Sequence, residues 1–253
     1  MHEAQMHQKN SFITLTYNDE HLPENGSLDV KVWQAFANKL KKAIGPFRFV
    51  HVGEYGDEGN RPHYHALIFG HNFDEDRALW KEDPTNGRRY YRSAKLAKLW
   101  PAGFHDIQDL SREAANYVCQ YAIKKIYGTS AEAEERREKR YQRVSFETGE
   151  VWQVAEETWT MSRRPGIGDG WYKKYHTDLF PRDEMIIRGR ANRVPKYYTD
   201  KLKKDNETLY SKVKEKRTEK AKERAAENEP ARRRVREAIT TARIKARLPR
   251  KLD

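Results

Sequence analysis

The sequence predicts an α+β fold in which a central antiparallel β-sheet carries flanking helices and is followed by a charged helical or partly disordered C-terminal tail. Three observations predict it. Residues 12–17, 47–55 and 63–69 are strand-like runs rich in β-branched and aromatic side chains. Residues 29–44 and 111–127 carry apolar side chains at helical spacing. The two kinds of segment interleave without the regular strand–helix–strand spacing of a doubly wound parallel sheet.

The run Phe12, Ile13, Thr14, Leu15, Thr16, Tyr17 ends in the turn-forming pair Asn18 and Asp19. Asp29 is placed to cap a helix whose Val32, Trp33, Phe36, Leu40 and Ile44 share a face, and Gly45 and Pro46 stop it. The next two strands flank a polar loop with Gly56, Asp57, Gly59, Asn60 and Pro62, the pattern of an antiparallel hairpin. A short helix at 94–99 and a strand at 104–107 lead to Ser111, the cap of a helix whose N-terminus Glu113 favours. Residues 131–143 read as a charged helix, and 151–161 as a further strand pair whose place in the sheet stays open. The expected organisation is a core over residues 1–128, an extension packed on it over 129–200, and a basic tail over 201–253.

Charge separates the tail from the rest. Of the net +12, residues 201–253 hold +10, with 19 Lys and Arg against 9 Asp and Glu. Lys, Arg and Glu alternate there with few large apolar residues, as expected of a solvated helix or arm that contacts an anionic polymer, with nucleic acid the natural partner. No apolar run approaches the length of a membrane span, and no signal peptide precedes the first strand, so a soluble, cytoplasmic protein with no membrane partner is expected. The lone Cys119 excludes an internal disulfide and a thiolate metal cluster.

His63 and His65 lie two apart on a predicted strand, so both imidazoles project from one face and can grip one cation. Glu54, on the preceding hairpin strand, can complete a two-His, one-carboxylate site with open coordination positions. His51 has the opposite strand parity to Glu54 and is expected to be structural; Asp57 and Glu58 are further possible ligands from the loop. By spacing alone, two hydrogen-bonded structural histidines fit equally well.

On the helix from Ser111, residues rotate by about 100° each, which groups Ala115, Val118, Cys119, Ala122 and Ile126 in an apolar stripe. Cys119 is then a small core residue. Tyr117, Tyr121 and Lys124 fall together on the opposite side, outside that stripe. A phenol is a poor nucleophile at neutral pH unless a cation polarises its target or, as Lys124 would, favours the phenolate. A second packing face is the alternative for the tyrosine pair.

In order along the chain, residues 12–17, then Glu54 with Arg61-Pro62-His63-Tyr64-His65-Ala66-Leu67-Ile68-Phe69, then Tyr117-Val118-Cys119-Gln120-Tyr121-Ala122-Ile123-Lys124 resemble the three motifs of HUH-class replication initiators. The paired tyrosines, with Met161-Ser162-Arg163-Arg164-Pro165-Gly166-Ile167-Gly168, look most like the initiators of small single-stranded-DNA phages, the microviruses of gokushovirus type. The resemblance covers roughly residues 10 to 175 and implies an HUH endonuclease fold and a metal-dependent nickase and strand transferase. It implies that Tyr117 or Tyr121 attacks the scissile phosphodiester, leaving a 5′-phosphotyrosine and a free 3′-OH, and that later rejoining releases circular single-stranded DNA in rolling-circle replication. Glu54, His63 and His65 would hold Mg²⁺ or Mn²⁺. The substrate would be single-stranded or locally melted origin DNA; no Gly-rich nucleotide-binding loop followed by Lys and Ser or Thr occurs, so a host helicase would unwind the duplex and a host DNA polymerase would extend the 3′-OH.

Arg163 and Arg164, beside a Pro-Gly-Ile-Gly turn, and Arg232, Arg233 and Arg234 in the tail are candidate phosphate contacts, and Trp152, Trp159, Trp171, Tyr172 and Tyr175 candidate base-stacking residues. A transposase or relaxase of the same class, and a non-catalytic nucleic-acid-binding module, are the competing readings.

Overall fold

Alternation along the first strand decides how the sheet is dressed. In the computed structural model, residues 1–56, 59–124, 130–145 and 147–247 are described, the side chains of 121–124, 244, 245 and 247 excepted. They fall into two compact units, Met1–Ile167 and Gly168–Asp253, a division lying inside the segment 129–200.

The first unit contains β1 (Asn10–Tyr17), α1 (Val30–Ile44), β2 (Arg48–Tyr55), β3 (Pro62–Phe69), β4 (Ala78–Glu82), β5 (Arg89–Arg92), α2 (Ala94–Leu99), β6 (Gly103–Asp109), α3 (Arg112–Lys124), α4 (Ala131–Tyr141), β7 (Gln142–Val144), β8 (Val151–Gln153) and β9 (Thr158–Met161). Seven strands form one sheet in the order β4-β5-β6-β1-β3-β2-β9, and every pairing in it is antiparallel. The predicted α+β class is therefore the observed one, and it is consistent with an HUH-type fold. The strand pair expected over 151–161 divides: β8 pairs with β7 in a separate hairpin, while β9 joins the main sheet beside β2.

Period-two alternation sorts the sheet into two buried faces. Ile13, Leu15, Tyr17, Tyr64, Ala66, Ile68 and Ile107 pack with Trp33, Phe36 and Leu40 of α1 and Leu96 of α2. Phe12, Val50, Val52, Leu67 and Phe69 pack on the opposite side with Ala114 and Val118 of α3. The helix starts are capped as their residues require: Asp29 accepts from the Lys31 amide at 2.8 Å, Ser93 from Leu96 at 3.0 Å and Ser111 from Ala114 at 3.0 Å. His51 sits on the α1 side, fully buried, stacked on Trp33 with ring centroids 4.0 Å apart and its Nδ1 3.0 Å from Thr160 Oγ1. It is a structural histidine, as strand parity requires.

Trp33 is the largest fully buried side chain of this core. Trp33→Ala is expected to lower stability by about 3–5 kcal/mol; urea unfolding of the purified variant checks this, and a loss within the scatter of surface substitutions would mean the α1 face is not packed as described.

The second unit contains α5 (Asp169–Tyr175), the hairpin β10 (Glu184–Ile187) and β11 (Arg190–Arg193), α6 (Lys196–Asp205), α7 (Glu207–Glu223) and α8 (Pro230–Arg247). Trp171 and Tyr172 are buried against Tyr198 at centroid distances of 5.8 and 5.7 Å. Their expected role as base-stacking surfaces is therefore corrected: they are the core of this unit, the usual fate of dense aromatics in a small domain. Of α7, Val213 is buried, so the tail expected to be helical is helical and mostly solvated.

Candidate active site

Three elements bring the site together, and the register of the sheet explains how. β2 and β3 pair so that Glu54 lies directly across from His63, and His65 lies two residues further along the same face. α3 packs over β2 and β3 and carries Tyr117 to them. The result is a cluster in which one ligand atom each from Glu54, His63 and His65 lies within 4.8 Å of the others.

The hydrogen bonds define the chemistry of this cluster. His63 Nδ1 is 3.0 Å from the Arg61 carbonyl, which can only accept, so Nδ1 carries the proton and the Nε2 lone pair of a neutral ring faces inward. That Nε2 is 2.9 Å from Glu54 Oε1, and His65 Nε2 is 2.8 Å from the same oxygen. A lone pair and a carboxylate oxygen at that distance repel each other, which a shared cation or a second proton on His63 relieves. Glu54 is 2% exposed, and its Oε2 has no hydrogen-bond partner, a costly state for a buried carboxylate unless a cation takes that oxygen. His65 Nδ1, 2.9 Å from Thr14 Oγ1, is oriented from behind in the manner of a metal-ligating histidine. The donor set of two imidazoles and one carboxylate thus fits a divalent cation.

Electrostatics agree with the geometry. Burial pushes the Glu54 carboxyl up, but hydrogen bonds from His63 and His65 and their charges outweigh it and hold the group at about 2. Burial lowers the pKa of His65, with Glu54 pulling against it. Near neutrality the site therefore offers an ionised carboxylate and a neutral His65, the protonation states a cation needs. Since the folded value of His65 lies below the ordinary 6.5, the stability it contributes is complete above about pH 6.5 and is lost as pH falls and the unfolded chain takes up the proton. Protons compete with the cation at the same nitrogen, so Mn²⁺ affinity is expected to fall by at least about tenfold from pH 7 to pH 5. Calorimetric titration across that range checks it; a flat profile would remove the histidines from the ligand set.

Tyr117 donates to Glu54 Oε1 at 3.1 Å, and its ring stands edge-on to His65 at 5.2 Å and to Phe12 at 6.4 Å. The expectation that it lies outside the packed stripe of α3 is corrected. The buried line on this helix is Ala114 and Val118 with Tyr117 partly buried beside them, and Cys119, expected in the core, is exposed. An error of about one residue in the facing direction, or 100°, accounts for both. Tyr121 and Lys124 belong to the α3 backbone, one and nearly two turns beyond Tyr117; their side chains lie outside the described residues, as do Asp57, Glu58 and residues 125–129.

With this geometry in view, known proteins supply the kinship. Residues 10–126 match the family model for replication-associated proteins of the ORF2 type. The chain is 30% identical over 216 residues to replication-associated protein VP4 of Bdellovibrio phage phiMH2K, covering 81% of this chain and 61% of that protein. It is 28% identical to replication-associated protein ORF4 of Chlamydia phage 1, over 80% of this chain and 48% of that one, and 28% identical to replication-associated protein ORF2 of Spiroplasma virus 4, over 82% and 63%. The chain is a relative of the microvirus-type replication-associated proteins. It spans about half to three-fifths of the length of these curated relatives. No solved structure matches it.

The stretch that matches the replication-associated family model contains Glu54, His63, His65, Tyr117, Tyr121 and Lys124. The other expected DNA contacts lie elsewhere. Arg163 and Arg164 are exposed, on a turn held by Arg48, whose Nη2 donates to the Pro165 and Gly166 carbonyls at 2.8 and 2.9 Å. In the second unit, Arg232 donates to Glu227 and Arg233 to the Asn228 carbonyl. A cleft of about 470 Å³ there is lined by Arg193, Arg217, Lys220, Arg224 and Arg236, cations that sequence spacing did not single out because they come from β11, α7 and α8 and meet only in the fold. All of the net +12 falls in this unit, with 26 Lys and Arg against 14 Asp and Glu over residues 168–253. Among the described residues, no helix is long and apolar enough to cross a membrane.

Proposed function

We propose that this chain initiates rolling-circle replication by nicking one DNA strand through a tyrosine nucleophile and later rejoining strands. The observation that carries the reading is the Tyr117 hydroxyl on the Glu54 carboxylate that His63 and His65 share. The kinship with replication-associated proteins of small phages supports it.

Bound by Glu54, His63 and His65, Mg²⁺ or Mn²⁺ would supply Lewis acidity at a phosphate oxygen. Tyr117 is held by its contacts with Phe12, His65 and Glu54, so its oxygen is positioned without a search over rotamers. Its attack on phosphorus forms the tyrosyl ester and breaks the bond to O3′, which ends with a proton as a free 3′-OH. The 5′-phosphotyrosine preserves a phosphodiester, so reversal by another 3′-OH reseals a strand without a nucleotide cofactor. Tyr121, one turn along α3, is placed for a second attack while Tyr117 is still esterified, and Lys124 beyond it would favour a phenolate. The near-neutral first unit carries the chemistry. The basic second unit, with Arg232, Arg233 and Arg234, and the exposed Arg163 and Arg164 supply salt-sensitive affinity for single-stranded or melted origin DNA. Action in the host cytoplasm, with host helicase and polymerase, belongs to the same proposal.

The test is incubation with single-stranded oligonucleotides that tile a candidate origin, in Mn²⁺ and in chelator. A denaturant-resistant protein–DNA adduct that needs the metal is the expected result. Tight binding with no adduct on any oligonucleotide would favour a non-catalytic binding module instead.

A further inference from the structure

The sheet face that carries the histidines continues past them into uncovered strands. Register makes the continuity explicit: Glu54 pairs across to His63, His63 to Thr16, and Thr16 to Phe104 on β6. One row of side chains therefore runs from the metal cluster to Phe104, whose Cα lies two strands, or about 10 Å, from that of His63. The next row runs from His65 through Thr14 to Asp106. Asp106 accepts from the Trp80 indole at 2.8 Å, and the Arg92 guanidinium lies over the Trp80 ring at 3.9 Å.

Phe104 is 59% exposed and Trp80 45% exposed. A large apolar ring left open on a paired strand, on the face whose other rows are packed, is an unusual use of a sheet position. Its backbone is tightly placed: a side chain at the neighbouring Gly103 would strike the Thr16 carbonyl at 2.3 Å, so β6 lies close against β1 and holds Phe104 in its row. The surrounding charge is positive. The β4–β5 hairpin presents Lys81, Arg88, Arg89 and Arg92 on exposed or partly exposed positions against Glu82 and Asp83, and Lys81 lies over the Tyr90 ring at 5.5 Å.

We infer that Phe104 and the Trp80–Arg92 stack form a platform on which unpaired bases next to the scissile phosphate stack, with the hairpin cations taking the backbone phosphates. The occupant is single-stranded DNA, because rings interleaved with cations match a strand whose bases are unpaired and whose backbone is anionic, and because the platform shares its rows with the cluster that would hold the cleaved phosphate. This rests on the nicking reading and adds the residues that seat the strand. The platform has a stated function in catalysis: it fixes which phosphodiester lies over Glu54, His63 and His65.

The experiment uses the full chain and four variants, Phe104→Ala, Trp80→Ala, the double change, and Phe104→Tyr, with a fluorescent oligonucleotide that the wild type nicks. Each alanine variant is expected to bind it about tenfold more weakly, and the double variant more weakly still, while Phe104→Tyr stays near wild type. Removing single bases from the oligonucleotide should weaken wild-type binding at one or two positions beside the nick and leave the double variant unchanged there. Mn²⁺ affinity should be the same in all five proteins, since both rings are outside the ligand set. Equal DNA affinity and unaltered nicking position in the double variant would overturn the platform even while nicking stands. A change in oligomeric state without a change in DNA affinity would also overturn it, making the patch a protein contact. If the wild type binds the strand at the platform but forms no adduct on any oligonucleotide, the nicking reading fails and the platform stands.

Discussion

Replacing both tyrosines by phenylalanine is expected to abolish adduct formation, with at least about a 10³-fold loss of nicking, because the nucleophilic oxygen is removed while ring packing is preserved. The single changes should differ. Tyr117→Phe deletes the hydroxyl that contacts Glu54 yet leaves the ring against Phe12 and His65, so the fold is retained and cleavage depends on Tyr121. Tyr121→Phe leaves Tyr117 able to cut but without a partner for the second transfer, so adduct should form and circular product should not. Gel assays of nicking and joining separate the two steps. Undiminished nicking by the double variant would place the nucleophile elsewhere.

The second large effect concerns the cation. His63→Ala is expected to eliminate metal-dependent nicking and to weaken Mn²⁺ binding by more than about 100-fold, since one of three protein ligands is lost rather than an outer partner. Glu54→Gln should do the same by removing the negative charge, though not the shape. Without the cation, the Glu54 carboxylate is a buried charge whose Oε2 has no partner, so Glu54→Gln is expected to be no less stable than wild type in chelator, while only the wild type gains stability on adding Mn²⁺. Thermal unfolding with and without the metal measures this. Equal stabilisation of both proteins would mean that the ion binds at another place.

How far the sequence speaks depends on which distances an element must span. Alternation over residues 12–17 and 62–69 and the capping residues Asp29, Ser93 and Ser111 report local geometry, and the strands and helices they imply are found within one or two residues. The parity argument that puts Glu54 with His63 and His65, and His51 on the other face, survives because a pleated strand allows only two directions. A helix allows all directions, and there the sequence misleads: Cys119 and Ala115 look as apolar as Ala114, so the apolar stripe falls about 100° from the buried line that brings Tyr117 to the sheet. Phe104 and Trp80 escape notice in the sequence for a different reason. The β4–β5 hairpin is polar, its strand β4 is exposed throughout, and the row linking Phe104 to His63 exists only once β6 pairs with β1. In the same way, the cations lining the cleft of the second unit are scattered over more than forty residues of sequence, whereas Arg232, Arg233 and Arg234 attract notice by adjacency and turn out to be engaged in part by Glu227 and Asn228.

The most direct measurement is a peptide map, by mass spectrometry, of the adduct formed with a nicked origin oligonucleotide in Mn²⁺. The account predicts a nucleotide attached through its 5′-phosphate to Tyr117 or Tyr121 and to no other residue. Attachment to a residue outside α3, or linkage through a 3′-phosphate, would contradict it.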